Sequence, residues 1–267
     1  MKTTVARLKL LCVSLMVISL IFVGLSSAKI DLETCVGMWL FDEGSGDVAK
    51  DSSGKGNDGD IVGGAKWVDG KFGKALSLDG SDDYVEIAHD DSLMVGKHTI
   101  TIWFKLDEVP TAGMAVVTKD DWAPGFWLDG SIIRYHTQDP PTEMHYIDGN
   151  WTPDTEWRSF AVTWDGEEFE MYLDGARIDH SAIADTGRNP LTEKPLCIGI
   201  YLATGQHDQW GAFFHGIIDE VAIFNEALSE DDIKSIMDQG LGKATPITAV
   251  SPSGKLATAW ASIKVQY

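Results

Sequence analysis

Basic residues are scarce in this sequence. Its 267 residues include 21 Lys and Arg against 41 Asp and Glu, which gives a formal net charge of −20. Residues 1–28 and 241–267 contain no acidic residue, so the whole acidic excess lies between these two segments. A domain with this charge repels nucleic acid and anionic membrane surfaces and suits cations. Solubility in a salty medium explains the same excess, and charge alone does not decide between the two interpretations.

Cysteine is also scarce, with three residues in the chain. Cysteine and histidine do not cluster at the spacing of a zinc site, and no acidic loop has EF-hand spacing. Two cysteines, Cys35 and Cys197, lie beyond the N-terminal apolar segment. Export permits a disulfide between them. The apolar residues around Cys197 equally favour a buried thiol, so both alternatives remain open.

The long hydrophobic run at the N-terminus covers residues 10–25. Three basic residues precede it, and the small residues 26–28 follow it, as at a signal peptidase site. We expect residues 1–28 to be a signal peptide cleaved after Ala28, with an uncleaved anchor as the alternative. No stop-transfer run follows, so the sequence predicts no membrane span after cleavage and a secreted, extracellular or periplasmic location.

The rest of the chain has the pattern of a β protein. Short alternating or fully apolar runs recur between Asp-Gly and Gly-rich turns. The Asp-Gly pairs at 165–166 and 174–175 favour tight hairpins, which predicts a three-stranded meander over residues 158–180. The predicted strands are residues 36–41, 75–78, 84–88, 98–106, 114–118, 125–128, 131–136, 158–164, 168–173, 177–180, 196–202 and 216–224.

One helix is predicted, near residue 230. Ser229 is a candidate N-cap with Asp232 three residues later, which is the spacing of a capping box. Gly240 is typical of a helix C-terminus. A single short helix after a dozen strands favours a β-sandwich over an α/β fold.

Five segments, in chain order, resemble the bacterial laminin-G-like jelly-roll domains of the concanavalin-A-like superfamily. They are residues 37–46, 51–59, 73–85, 162–175 and 216–229. The resemblance implies an all-β fold with two antiparallel sheets in a jelly-roll sandwich, over residues 36–240. It leaves residues 241–267 as a basic tail or linker. Relatives commonly bind carbohydrates or proteins, and many hold a structural calcium ion.

Calcium is the cofactor that this resemblance implies. Residues 51–59 are rich in Asp, Asn, Ser and Gly, which can surround Ca²⁺ with carboxylate and carbonyl oxygens. We expect Asp51 and Asn57 to supply side-chain oxygens, Gly54 a backbone oxygen, and Asp219 a carboxylate from the closing strand. The same residue types also dominate ordinary turns.

Two further expectations concern acidic residues. Because side chains alternate along a strand, Glu220 should point to the face opposite Asp219. Asp82 and Asp83 form a second acidic cluster, which is a fallback cation site.

The ten Trp residues suggest a sugar-binding surface. Trp39, Trp103 and Trp164 lie in predicted strands and are assigned to the core. Recognition usually occurs on loops of a rigid scaffold, although loop Trp residues can also seal the ends of a sandwich. The ligand-binding candidates are Trp122, Trp151, His207, Asp208 and Trp210.

An enzyme is the competing interpretation, because the same superfamily includes glycan hydrolases. These need two carboxylates on either side of the scissile bond, in a Glu-x-Asp-x-Glu pattern along one strand. Here Glu168 and Glu170 alternate, but the next acid, Asp174, falls in a turn. We therefore predict an exported, non-catalytic binding module for an extracellular glycan, with a cell-surface protein-interaction domain or a hydrolase as alternatives.

Overall fold

The computed structural model describes residues 30–119, 125–139, 143–182, 193–201 and 213–245, without the side chains of 137–139, 143–145 and 182. The predicted signal peptide and most of the tail lie outside these ranges. The strands are β1 (Cys35–Trp39), β2 (Val48–Ala49), β3 (Gly59–Val62), β4 (Lys66–Asp69), β5 (Lys74–Asp79), β6 (Tyr84–Ile87), β7 (His98–Leu106), β8 (Met114–Lys119), β9 (Gly125–Asp129), β10 (Ile132–Asp139), β11 (Glu143–Asn150), β12 (Trp157–Trp164), β13 (Glu168–Leu173), β14 (Ala176–Ala182), β15 (Leu196–Ile198) and β16 (His215–Phe224). The α-helices are α1 (Glu230–Gln239) and α2 (Leu241–Ala244), and two 3-10 turns cover Leu32–Thr34 and Asp91–Leu93.

The strands form two antiparallel sheets. Sheet 1 has the order β14-β13-β12-β7-β16-β5-β4, with β1 also paired to β16. Sheet 2 has the order β11-β10-β9-β8-β15-β6-β3-β2. The inner faces of the two sheets share one apolar core, so the predicted all-β, two-sheet sandwich of the concanavalin-A-like type is confirmed.

Alternation along β7 shows how the sequence builds this core. Ile100, Ile102 and Phe104 belong to the apolar cluster between the sheets. The intervening side chains face outward from sheet 1. Trp103, one of these outward residues, is nevertheless only 5% exposed, because the outer face of sheet 1 is itself covered. Trp39 and Trp164 are fully or almost fully buried, as their strand positions predicted.

Helix α1 covers part of that outer face. It begins after Ser229, whose side chain accepts a hydrogen bond from the Asp232 N–H while Asp232 completes the capping box. Ile233 and Ile236 are buried in a second apolar cluster, on the outer side of sheet 1. The predicted helix and both of its ends are therefore confirmed.

The packed domain extends slightly beyond residue 240. Leu241 and Thr245 are fully buried, so the first residues of the segment assigned to the tail belong to the structure. Among the described residues, no helix is long and apolar enough to cross a membrane.

The two described cysteines are free buried thiols. Cys35 lies in β1 of sheet 1 and Cys197 in β15 of sheet 2. Burial raises the pKa of each thiol to about 12. Both residues therefore act as small apolar side chains in their strands.

Candidate functional site

The loop after β1 is organised around the carboxylate of Asp51. This carboxylate accepts hydrogen bonds from the N–H groups of Met38, Ser53, Gly56 and Asn57 and from the Ser53 hydroxyl. A carboxylate offers about four lone-pair positions, so these five bonds use its full capacity. Gly54, at the exposed tip of the loop, adopts a left-handed φ of 84°. Asp51 thus serves as the centre of a turn.

Asn57 ties the same loop to the core. Its Nδ2 donates to the Val36 carbonyl at 2.7 Å and to Ser92 Oγ at 2.9 Å. The Asn57 carbonyl accepts the indole N–H of Trp39 at 2.9 Å. These contacts explain the polar residues of the loop without a metal ion, and the assignment of Asp51, Gly54 and Asn57 as calcium ligands stays a prediction.

Asp219 has a different environment. Asp219 lies on β16 and is fully buried. Its Oδ2 accepts the Phe72 N–H at 2.9 Å, whereas its Oδ1 has no hydrogen-bond partner. Burial and the negative charge of Asp42 raise the pKa of this carboxyl, and hydrogen bonds from backbone N–H groups lower it. The net effect is a pKa of about 7. The acid that interacts with Asp219 is therefore Asp42, which follows β1.

A β-bulge brings a third acid to the same face. The pairing of β16 with β7 shifts between Asp219 and Ala222, and Glu220 has a positive φ of 48°. Asp219 pairs with Trp103, and Glu220 lines the space under α1 together with that same Trp103. The expectation that Glu220 points away from Asp219 was wrong, because an extra residue in the strand interrupts alternation.

Glu220 is anchored from the helical side. Its Oε2 accepts the Leu241 N–H at 2.8 Å, at the start of α2. Burial raises the pKa of Glu220 to about 7, and the charges of Asp219 and Asp42 also raise it. Asp219 and Glu220 together are called the buried acid cluster below, and the exposed Asp42 lies beside them.

Two glycines allow the β4–β5 hairpin to lie against this cluster. A Cβ atom at Gly70 would come within 2.5 Å of Asp219 Oδ2, and one at Gly73 would collide with Asp42 Oδ1. Asp42 Oδ1 also accepts the Lys74 N–H at 2.9 Å. The hairpin backbone thus holds both carboxylates in place.

The fallback cluster also exists. Side-chain oxygens of Asp79, Asp82 and Asp83 lie within 4.8 Å of one another. Asp83, however, is engaged by the N–H groups of Gly64 and Asp79. Exposed acidic groups of this kind are common without an ion.

Four of the five predicted ligand-binding residues, Trp122, His207, Asp208 and Trp210, lie outside the described residues. The fifth, Trp151, is 7% exposed. Its ring meets Phe104 edge-on with centroids 5.9 Å apart, and its indole N–H donates to the Gly130 carbonyl at 3.1 Å. Trp151 is therefore part of the core between the sheets.

A different group of aromatic residues lies on the outer face of sheet 2. Phe126, Tyr135 and Ile147 point into the core, so by alternation their neighbours on β9, β10 and β11 point outward. The outward group is called the aromatic face and consists of Trp127, His136, Tyr146 and Tyr201. Trp127 lies 5.0 Å from Tyr201 and 5.9 Å from His136, between ring centroids. The His136 and Tyr146 centroids are 6.4 Å apart, and Tyr146 is 51% exposed.

Two unpartnered nitrogen atoms meet above Gly125. His136 Nε2 and Trp127 Nε1 are buried and lack hydrogen-bond partners. A Cβ atom at Gly125 would lie 2.6 Å from the first and 3.0 Å from the second. Burial, together with the positive charge of Arg134, lowers the pKa of His136 to about 4. This place, called the glycine notch, therefore holds a neutral imidazole beside an indole N–H, with both nitrogens buried.

The positive charge beside the aromatic face is already paired. Arg134 donates to both oxygens of Asp148, at 2.7 and 2.8 Å. Its guanidinium also lies 5.0 Å from the centroid of the Tyr146 ring. Planar pairing of this kind fixes the guanidinium and neutralises its charge locally.

Comparison with known proteins agrees with this architecture. The binding domain of Paraclostridial Mosquitocidal Protein 1 matches with a TM-score of 0.65 at 16% identity, over 77% of this chain and 52% of that chain. The chain thus spans about half of that domain's length. Domain 4 of AbnA, a GH43 extracellular arabinanase from Geobacillus stearothermophilus solved with arabinotriose, matches with a TM-score of 0.59 at 21% identity, over 76% and 98%.

A third solved structure is the botulinum neurotoxin type C protein described as depending on two ganglioside molecules for cell entry. It matches with a TM-score of 0.64 at 12% identity, over 80% of this chain and 52% of that chain. No curated protein matches the chain. A family model matches residues 79–234, which is more than half of the chain, and the protein therefore belongs to the concanavalin A-like lectin/glucanases superfamily, in its laminin G branch.

Proposed function

We propose that this protein is an exported, non-catalytic binding module that holds carbohydrate on its aromatic face. The observation that supports this most directly is the set of outward rings on β9, β10 and β11, with Trp127 at its centre. Aromatic rings offer flat apolar surfaces together with polar edges. Ligand sites typically combine such surfaces with a few well-placed polar groups, and the glycine notch holds two buried, unpartnered nitrogens next to these rings.

The similar solved structures support a binding role. One is a domain of an arabinanase in complex with arabinotriose, and others are toxin binding domains. Their identity to this chain is low, so they support the fold, and the ligand class is our inference. Glu170, one of the two alternating acids, bonds to the Tyr172 hydroxyl and to Arg177, which favours a structural role over catalysis.

Binding to an oligosaccharide array, followed by isothermal titration with arabinotriose or another responsive glycan, tests the proposal. Trp127→Ala removes the central ring and should weaken binding at least about tenfold. Trp67→Ala is the matched control, because Trp67 is a half-buried indole that donates to the Gly46 carbonyl on another part of the surface. Equal binding by wild type and Trp127→Ala would contradict the aromatic face as the site. If the protein binds no glycan on the array and instead captures a cell-surface protein, the adhesion alternative is favoured.

We also propose that a calcium ion binds at the buried acid cluster. Carboxylate and carbonyl oxygens are the ligands that Ca²⁺ prefers. Asp219 Oδ1 is a buried oxygen without a hydrogen-bond donor, and a second carboxylate, Asp42, interacts with the same group. The negative charge of Asp42 raises the pKa of the buried Asp219, and a cation would relieve this repulsion. Asp42 and Asp219 are the residues that would hold the ion.

Thermal unfolding with calcium and with chelator tests this second proposal. Calcium should raise the melting temperature of the wild type and of Asp51→Asn, and it should have no effect on Asp219→Asn. Asp51→Asn is the matched control because it changes the originally predicted loop ligand by the same single atom. A calcium shift that survives in Asp219→Asn and disappears in Asp51→Asn would instead locate the ion in residues 51–59.

Export is proposed from the N-terminal segment. Expression of the full chain in a secreting host, followed by N-terminal sequencing of the product, should give a chain that begins at Lys29. Retention of residues 1–28 on a membrane-associated product would favour the anchor alternative.

A further inference from the structure

We infer that the aromatic face selects uncharged glycans and discriminates against glycans that carry a carboxylate. This inference rests on the proposed function and specifies its ligand class. It is carried by the charges and the unpartnered polar atoms that surround Trp127 on the outer face of sheet 2.

The first argument concerns the available positive charge. Recognition of a sugar carboxylate usually needs an Arg or Lys that can pair with it. On the described part of this face Arg134 is the cation in contact with the aromatic group, and Asp148 already pairs with its Nε and Nη2 through both carboxylate oxygens. Asp129 contributes a further negative charge close to Arg134. A carboxylated ligand would therefore meet a neutralised cation and an additional acid.

The second argument concerns the glycine notch. Trp127 Nε1 is a donor, and the neutral His136 Nε2 is either a donor or an acceptor, according to its tautomer. Both nitrogens are buried, so a ligand reaches them only when the side chains that cover them move. A sugar hydroxyl then satisfies both nitrogens in either case, because it donates and accepts. An ionised carboxylate only accepts, so it fits beside the imidazole only if Nε2 carries a hydrogen. Burial opposes the protonated, doubly donating form of His136.

The third argument concerns the charge of the whole chain. With a formal net charge of −20 for the whole chain, the long-range field also repels anionic ligands. All three arguments favour hydroxyl-rich, uncharged sugars.

Isothermal titration against matched pairs of sugars tests the inference. α-1,4-Galactotriose is compared with trigalacturonic acid, a pair that differs chiefly in carboxylate, and lactose is compared with 3′-sialyllactose, which adds one carboxylated sugar. Arabinotriose is included as a further uncharged probe. We expect the uncharged members to bind at least about tenfold more tightly at low salt, with the difference narrowing as salt screens the repulsion. Equal or tighter binding of the carboxylated members would overturn the inference while leaving the proposed carbohydrate function intact. Absence of binding to every sugar would overturn both.

Three variants test which residues set the preference for uncharged over carboxylated sugars. Asp148→Asn frees Arg134 and should narrow the preference for uncharged sugars by about threefold or more. Trp127→Phe and His136→Leu remove the polar atoms of the notch and should each weaken binding of the uncharged member about fivefold. Trp67→Phe is the matched control and should leave affinity unchanged. Each variant is first checked for a wild-type unfolding transition. An unchanged preference in Asp148→Asn would show that Arg134 does not set the selectivity.

Discussion

The outer faces of the two sheets use the same alternating strand pattern for different purposes. On sheet 1, helices α1 and α2 cover the outward side chains, and apolar residues and acids are buried together there. On sheet 2, the outward side chains of β9–β11 include the exposed Tyr146, the partly buried Trp127 and the buried His136. Both described helices pack on sheet 1 only. The covered face therefore contributes to stability, and the outer face of sheet 2, called the open face below, carries the rings for which we propose a ligand.

The largest expected difference between the two faces is the loss of stability when a charged side chain is introduced on each. Ile236→Asp puts a carboxylate under α1, beside Glu220, which lines the same space. An unpaired buried charge costs roughly 3–5 kcal/mol. Tyr146→Asp makes a comparable change on the open face and should cost less than about 1 kcal/mol. Urea unfolding of the two variants checks this, and similar losses would show that the faces are equally packed.

The pH dependence of stability tests the interior of the sandwich, between the two sheets. His98 lies between the sheets, with its Nε2 2.5 Å from the Tyr135 hydroxyl, and burial lowers its pKa from 6.5 to about 4. Between these two values the unfolded chain binds the proton more readily than the folded chain does, so the contribution of His98 is lost as pH falls. The stability advantage of wild type over His98→Gln should therefore shrink by about 3 kcal/mol between pH 7 and pH 4.

The difference between wild type and variant is the quantity to measure by denaturant titration at each pH. Asp219 and Glu220 titrate in an overlapping range with the opposite sign, because their raised pKa values favour the folded state at low pH. Their contribution cancels in the difference. A pH-independent difference would contradict the buried, neutral state of His98.

A moderate loss of stability is expected at the N-terminus of α1, the helix that covers sheet 1. Ser229→Ala removes the N-cap of α1 and the capping box with Asp232. Loss of such a cap costs about 1 kcal/mol. Ser235→Ala on the same helix is the matched control, since its hydroxyl accepts only from the exposed Gln239 side chain. If both variants unfold at the same urea concentration, α1 contributes little to the covered face.

The smallest loss of stability is expected on the open face, the outer face of sheet 2. Asp148→Asn breaks the exposed pair with Arg134, and such surface pairs contribute about 0.5 kcal/mol or less. The loss should diminish further at high salt. Chemical denaturation at two salt concentrations measures this, and a loss of more than about 1.5 kcal/mol would show that Asp148 supports the fold.

Elements with a strong local pattern were predicted from the sequence. The bounds of β7 and α1 match the predicted ones, because one has nine alternating residues and the other has caps at both ends. Strands β2, β3, β4 and β11 were missed. β2 has two residues, and β3 and β4 have four each. β11 reads Glu-Met-His-Tyr-Ile-Asp-Gly-Asn, which is too polar for a strand signal. Their pairing partners stabilise them, and partners are not visible in a local window.

The candidate sites were only partly predictable. Asp219 was identified by family resemblance, whereas Glu220 was placed on the wrong face because the bulge in β16 is a property of strand pairing. Two adjacent acids within an otherwise apolar strand were the available signal for that bulge. For the aromatic face, the alternation of residues 125–128 and 131–136 was the signal that could have placed Trp127 and His136 on outward positions, and it was not used. Their convergence above Gly125 required the β9–β10 register.

The position of β16 has a consequence for biosynthesis. This strand pairs with β1, β5 and β7, yet it is the last strand of the described chain to leave the ribosome. Until residues 215–224 emerge, those three strands keep open hydrogen-bonding edges, which are templates for self-association. Such distant pairing also slows folding. A nascent or truncated chain that stops before His215 should therefore depend on chaperones and aggregate without them.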